Sequence, residues 1–158
     1  MSTDKFKDDL KLGQEAELQF AQLMTDLGYT VESTQDKGRF ADYDVAAKNN
    51  GTIILFEIKK DRWAHATQNV VVEIAKRIDG EEMPSGISET KADFVVYQFY
   101  NDNNFYAIPT AQLKLQVAMK KYKHQLYGGD GQRSKLVMFD LKEFKNNCEI
   151  INKETMAN

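Results

Sequence analysis

The sequence predicts a layered α/β domain built on a mixed β-sheet. Three observations carry that expectation: an amphipathic helix near the start, two strand pairs joined by Asn-rich turns, and enough apolar side chains for one core. The 158 residues match one domain on the usual prior of ~100 to 200 residues. With 42% hydrophobic and 11% aromatic residues and only two prolines, the chain has too much to bury to stay unfolded. We therefore expect a single domain over residues 1–158, with frayed ends at 1–10 and 146–158.

Taken in order, Leu12, Ala16, Phe20, Leu23, Met24 and Leu27 recur at helical spacing, and Gly28 supplies a C-terminal stop. Tyr29 to Ser33 alternates like a short strand, and the polar stretch Thr34 to Arg39 reads as an exposed loop. Tyr43 to Lys48 and Thr52 to Lys60 are strand-like runs around Asn49, Asn50 and Gly51, and Asn-Gly favours a tight hairpin because both residues tolerate positive φ. Asn69 to Ala75 is a further strand, followed by a turn-rich loop from Asp79 to Thr90. Ala92 to Tyr100 and Asn104 to Ile108 form a second hairpin. Pro109 opens a helix reaching to Tyr122, a Gly-rich loop spans Tyr127 to Gly131, and Lys135 to Phe139 is a short strand.

Charge and cysteine usage narrow the chemistry. Lys plus Arg (21) against Asp plus Glu (24) leaves a net charge of −3, which excludes histone-like proteins but leaves local basic patches open. The charged start, MSTDKFKDD, lacks the apolar region of a signal peptide, and no apolar run approaches the ~18 residues of a membrane span. A cytoplasmic protein is expected. One cysteine, Cys148, and two histidines, His65 and His124, cannot assemble a Cys/His zinc cluster. Any metal would be held by carboxylates, which suits magnesium or manganese.

The first hairpin carries the informative constellation. With Asn50 and Gly51 as the central turn residues, Asn49 faces Thr52, and counting outward places Asp44 across from Glu57. Like charges facing each other on adjacent strands repel, and a shared divalent cation would offset that. Alternation puts Glu57 and Lys59 on one face, while Ile54, Phe56 and Ile58 point to the other. An ammonium beside a metal site can orient an attacking water and neutralise charge on a phosphate. The plain alternative is a same-face ion pair of Glu57 with Lys59, and a longer turn would shift every pairing. An acid, any residue and a lysine occurs five times in this chain, but only Glu57 with Lys59 lies on a buried-looking strand with an acid opposite.

The order of a helix with GQEAE, a strand, YDVAA, a turn and ILFEIKK resembles the PD-(D/E)XK nuclease superfamily, in particular its Holliday-junction-resolvase and Mrr-like members. The resemblance implies a restriction-endonuclease-like fold, a mixed central β-sheet flanked by helices. It also implies that Asp44 is the strand aspartate, Glu57 the second acid, Lys59 the lysine, and Glu17 the helical acid four residues after Gly13. Asp42 competes with Asp44, and Glu15 with Glu17. Tyr43 stands where the family often has proline. More weakly, KKDRWAHATQNVVVEI and PSGISETKADFVVY are similar to small phage-encoded nucleases of the superfamily, with Thr67, Asn69, Glu73, Ser85 and Gly86 at recurring positions. Glu73 is then either a further metal or water ligand or a solvent-facing acid.

The expected activity is that of a magnesium- or manganese-dependent DNA endonuclease, phage-encoded in origin, acting as a homodimer or higher homo-oligomer. Lys60 and Arg62 follow the metal strand and are candidate DNA contacts, with His65 a polar surface residue beside them. Between Lys114 and Lys135 six bases, among them Lys120, Lys121, Lys123 and Arg133, stand against one acid, Asp130, which suits phosphate contact as well as a solvated helix face. Trp63 reads by default as a core anchor, with a dimer contact or a stacking platform as the alternatives. Two other functions fit the residues: a nucleic-acid-binding module without catalysis, and a nuclease acting on RNA.

Overall fold

The computed structural model describes residues 3–34 and 42–156, and within them the side chains of all but 3–7, 9, 130, 155 and 156. The chain opens with helix α1 (Thr3–Asp26), which places Ala16, Phe20, Leu23 and Met24 on one buried face. It ends where Gly28 turns left-handed at φ +99, so that Tyr29 N–H reaches the Met24 carbonyl at 3.0 Å. Residues 3–10 continue the helix, prolonging a run held by its packed half.

Strands β1 (Thr30–Ser33), β2 (Val45–Asn49) and β3 (Thr52–Asp61) follow. The β2–β3 hairpin turns on Asn50 (φ 50) and Gly51 (φ 81), and Asn49 pairs with Thr52 and Val45 with Phe56 in the register predicted from that turn. The polar loop expected from Thr34 begins with a buried residue, since the Thr34 hydroxyl donates to the Tyr43 carbonyl. Beyond Thr34 that loop lies outside the described residues.

After a one-turn helix α2 (Ala64–Thr67), the chain leaves this sheet for β4 (Asn69–Ile78) and β5 (Glu81–Pro84). It returns through β6 (Phe94–Phe99) and β7 (Phe105–Pro109). Helix α3 (Thr110–Ala118), strands β8 (His124–Gly128) and β9 (Ser134–Asp140), helix α4 (Leu141–Asn146), strand β10 (Glu149–Ile151) and helix α5 (Lys153–Met156) complete the chain.

The strands form two sheets, a six-stranded one in the order β1-β2-β3-β6-β7-β10 and a four-stranded one in the order β5-β4-β9-β8. The larger is mixed, with β3 and β6 parallel and its other neighbours antiparallel. On one face Phe20 of α1 is fully buried, its ring 4.9 Å from Phe56 and 5.2 Å from Phe105, among Val45, Ile58 and Val96. On the other face Val95, Tyr97, Phe99 and Ile108 pack against Val70, Val72, Val137 and Phe139 of the smaller sheet and against Leu113 and Phe144.

The second sheet was not expected. The Asp79 to Thr90 loop contains β5, joined to β4 through Asp79 (φ 52) and Gly80 (φ 81), and the Gly-rich segment is entered by β8. In the tail, Ile151 of β10 is buried beside α1 and pairs with Phe105. The predicted helix after Pro109 stops at Ala118, well short of Tyr122, and Lys120 takes a left-handed turn at φ 54.

Candidate active site

Asp44 lies one residue ahead of β2, where the regular ladder stops. Its N–H donates to the Phe56 carbonyl at 2.9 Å, and Oδ2 accepts the Ile58 N–H at 2.7 Å. The side chain thus takes the place of a backbone partner for β3, which fixes the carboxyl beside Glu57. The Thr34 N–H holds the Asp44 carbonyl at 2.9 Å from the opposite side. Burial pushes the Asp44 carboxyl above the usual carboxylate range; the Ile58 hydrogen bond opposes this, the Glu57 charge adds to it, and Lys59 opposes it.

Strand alternation sends Glu57 and Lys59 to the face away from α1. Lys59 Nζ is 3.6 Å from Glu57 Oε1, with the glutamate side chain 18% exposed and the lysine 44%. Glu57 Oε2 is buried and has no hydrogen-bond partner, as have three other side-chain oxygens among the described residues: Asn69 Oδ1, Ser85 Oγ and Thr110 Oγ1. A buried carboxylate oxygen without a donor costs about 1 to 3 kcal/mol or more, and a cation would relieve that penalty. Two carboxylates, one carrying an unspent oxygen, are a hard donor set, so these residues fit magnesium or manganese.

Among the described residues no three His, Cys, Asp or Glu side chains gather as a metal-binding group. Hence Glu17, Glu73 and Asp42 are not brought in as a third ligand. Glu17 is half-buried on α1, while the helix positions directed at the far end of β3 are Leu12, Glu15 and Gln19. Lys60 donates to Gln98 Oε1 at 3.3 Å and Gln98 in turn donates to Gln19 at 2.9 Å; burial lowers the Lys60 ammonium, with Glu15 and Asp102 opposing. Asp42 is exposed, and its backbone carbonyl accepts from Lys91 N–H at 2.9 Å. Glu73 is covered by Gly86, where a Cβ would collide with the Glu73 carbonyl oxygen; Gly86 has φ +55 and is required for that approach.

Next to Lys59 opens a cleft of about 580 Å³, walled by Leu12, Val71, Met138 and Tyr97 and rimmed by Lys59, Lys60, Arg62 and Gly129. Asp61 Oδ1 accepts from Trp63 N–H (2.9 Å) and Ala64 N–H (2.8 Å), turning the chain sharply after β3. Trp63 is therefore held out of the core, 56% exposed and lining the cleft, contrary to the default reading of an anchor. Lys60 and Arg62 also line this cleft.

The remaining basic candidates are elsewhere. Lys120 and Lys121 are exposed in the turn after α3, Lys123 pairs with Asp140 at 3.5 Å, and Arg133 joins Lys76 and Arg77 around a separate pocket. His65 lies against the Tyr100 ring at 4.8 Å.

No family model and no curated protein matches the chain. Solved structures do. A bacterial homing endonuclease, I-Ssp6803I, superposes with a TM-score of 0.51 at 18% identity, covering 80% of this chain and 74% of that one. Hjc, a Holliday junction resolvase from Archaeoglobus fulgidus, superposes with a TM-score of 0.51 at 11% identity, covering 92% and 96%. The chain has a restriction-endonuclease-like fold. Among the described residues no helix is long and apolar enough to cross a membrane.

Proposed function

We propose that the protein is a magnesium- or manganese-dependent DNA endonuclease that hydrolyses phosphodiester bonds at Asp44, Glu57 and Lys59. The observation that carries this reading is the buried, unpartnered Glu57 Oε2 beside Asp44, with Lys59 leading from that pair into an open cleft. The two similar folds, a homing endonuclease and a Holliday junction resolvase, support DNA as substrate.

Asp44 and Glu57 would hold the ion. When bound, a divalent cation supplies Lewis acidity toward the scissile phosphate and an attacking water. Asp44 contributes a carboxyl whose direction is set by the Ile58 N–H, so its orientation does not depend on substrate. Glu57 Oε1 holds the Lys59 ammonium at the mouth of the cleft. From there Lys59 orients a water with its N–H donors and offsets the negative charge that grows on the phosphate as the bond breaks. Lys60 and Arg62 bring further positive charge to the same rim and seat the DNA backbone. In-line attack of water on phosphorus, with loss of the 3′ oxygen, gives a 5′-phosphate and a 3′-hydroxyl. One such site cuts one strand, so cutting both strands or a branched junction requires at least two copies of the chain.

The test is cleavage by wild type and Glu57→Ala, with and without magnesium, of duplex, single-stranded and four-way-junction DNA. Cutting should need both the metal and Glu57. Equal cutting by the variant would remove the proposed site, and binding without cutting of any substrate would favour a non-catalytic nucleic-acid-binding module.

A further inference from the structure

The apolar half of the cleft beside Lys59 has no use in the chemistry proposed above. Phosphates need donors and cations, which Lys59, Lys60 and Arg62 provide at the rim. An exposed indole, Trp63, lines the same cleft, and Asn69, which also lines it, keeps a buried Oδ1 without a hydrogen-bond partner. Over half of the tryptophan stays exposed even with the Arg62 guanidinium 5.4 Å from its ring centroid, so ring surface remains for a further flat group. The Asp61 carboxylate, through its two backbone hydrogen bonds, fixes the backbone of the turn that carries the ring.

We infer that this cleft receives an unpaired nucleobase, stacked on Trp63, so that the preferred substrate has a single-stranded nucleotide next to the scissile phosphate. The inference rests on the nuclease reading and specifies its substrate class. Three features fit the ligand. A volume of about 580 Å³ holds a nucleotide. Base stacking on an aromatic ring is available only to a base outside the helix, because in continuous duplex both faces of every base are already covered. Basic side chains and apolar surface in one cleft match a ligand with a phosphate at one end and a base at the other.

Trp63 is the only tryptophan of the chain, so intrinsic fluorescence reports on this ring alone. The experiment titrates wild type, Trp63→Ala and Trp63→Phe, without metal, with end-labelled intact duplex, the same duplex carrying a short single-stranded gap, and a single strand. Anisotropy follows binding, indole emission follows stacking, and circular dichroism checks that the variants fold. Gapped and single-stranded DNA should quench the indole. Trp63→Ala should weaken their binding about five- to 150-fold while intact duplex changes less than about twofold, with Trp63→Phe between. Unchanged emission on bound gapped DNA, or an equal loss on all three DNAs, would overturn the stacking cleft while leaving the nuclease reading in place. Failure to bind any DNA would overturn both.

Discussion

Replacing Asp44 with Asn should make the metal-free protein more stable and the magnesium-loaded protein less so. The amide keeps an oxygen to accept the Ile58 N–H, so the backbone geometry survives. What disappears is a negative charge that burial and Glu57 both disfavour. Because the folded-state Asp44 pKa is raised, the folded form binds its proton more readily than the unfolded chain does. Any stability from this group is full below the unfolded pKa and is lost as pH rises through the folded one. At neutral pH the ionised group is therefore a net cost. Facing carboxylates alone cost about 0.2 to 1 kcal/mol, and burial adds to that, so Asp44→Asn should gain about 1 kcal/mol. For a chain of this size that is about 2 to 4 °C in Tm. Magnesium at about ten times its dissociation constant should add about 1.4 kcal/mol to wild type, or about 3 to 6 °C. The variant should gain much less. Differential scanning fluorimetry with and without magnesium, from pH 5 to 8, reads all four values. A metal-free variant that melts below wild type at pH 7, or equal magnesium shifts in both proteins, would refute the reasoning.

Other expectations follow from single residues. Phe20→Ala empties the space between α1 and the sheet and should cost about 3 to 5 kcal/mol in urea unfolding; a loss below about 1 kcal/mol would contradict the packing described. Gly86→Ala should destabilise by about 1 to 3 kcal/mol or more, because the methyl meets the Glu73 carbonyl oxygen and φ is positive, and thermal unfolding would read it. Burial pushes the Cys148 thiol up to about 12, so iodoacetamide at pH 8 should alkylate it far more slowly in native protein than in urea; equal rates would show that the thiol is open.

The parts legible in the sequence are those where local chemistry leaves one solution. Asn50-Gly51 permits a two-residue turn, and that turn fixes the register and the shared face of Glu57 and Lys59. Asp79-Gly80 carries the same signal and makes the same kind of turn, yet β5 is polar and exposed along its length, so alternation did not mark it. Strand β8 is hidden likewise by its exposure and by the glycines that follow. Strand β10 has only three residues, and its place is set by Ile151 finding the α1 face, a tertiary contact with no local signature. The exact seat of Asp44 was half legible: the turn put it near Glu57, but the carboxylate replacing a backbone acceptor for Ile58 is a break in the ladder that periodicity does not carry. Trp63 reads by default as a core anchor because tryptophan is highly buried on average, whereas it stands 56% exposed in the turn where Asp61 accepts the Trp63 and Ala64 N–H groups. Glu15 and Glu17 differ by two helical positions, and only the packing angle of α1 decides which of them acts on Lys60.

The most direct test of the central claim is to measure manganese binding and single-turnover DNA cleavage on the same preparation of Lys59→Ala. The account predicts that manganese still binds, because Asp44 and Glu57 remain, that DNA affinity changes little, and that cutting is lost. Cutting at the wild-type rate with manganese bound would contradict the role given to Lys59 and the site built around it.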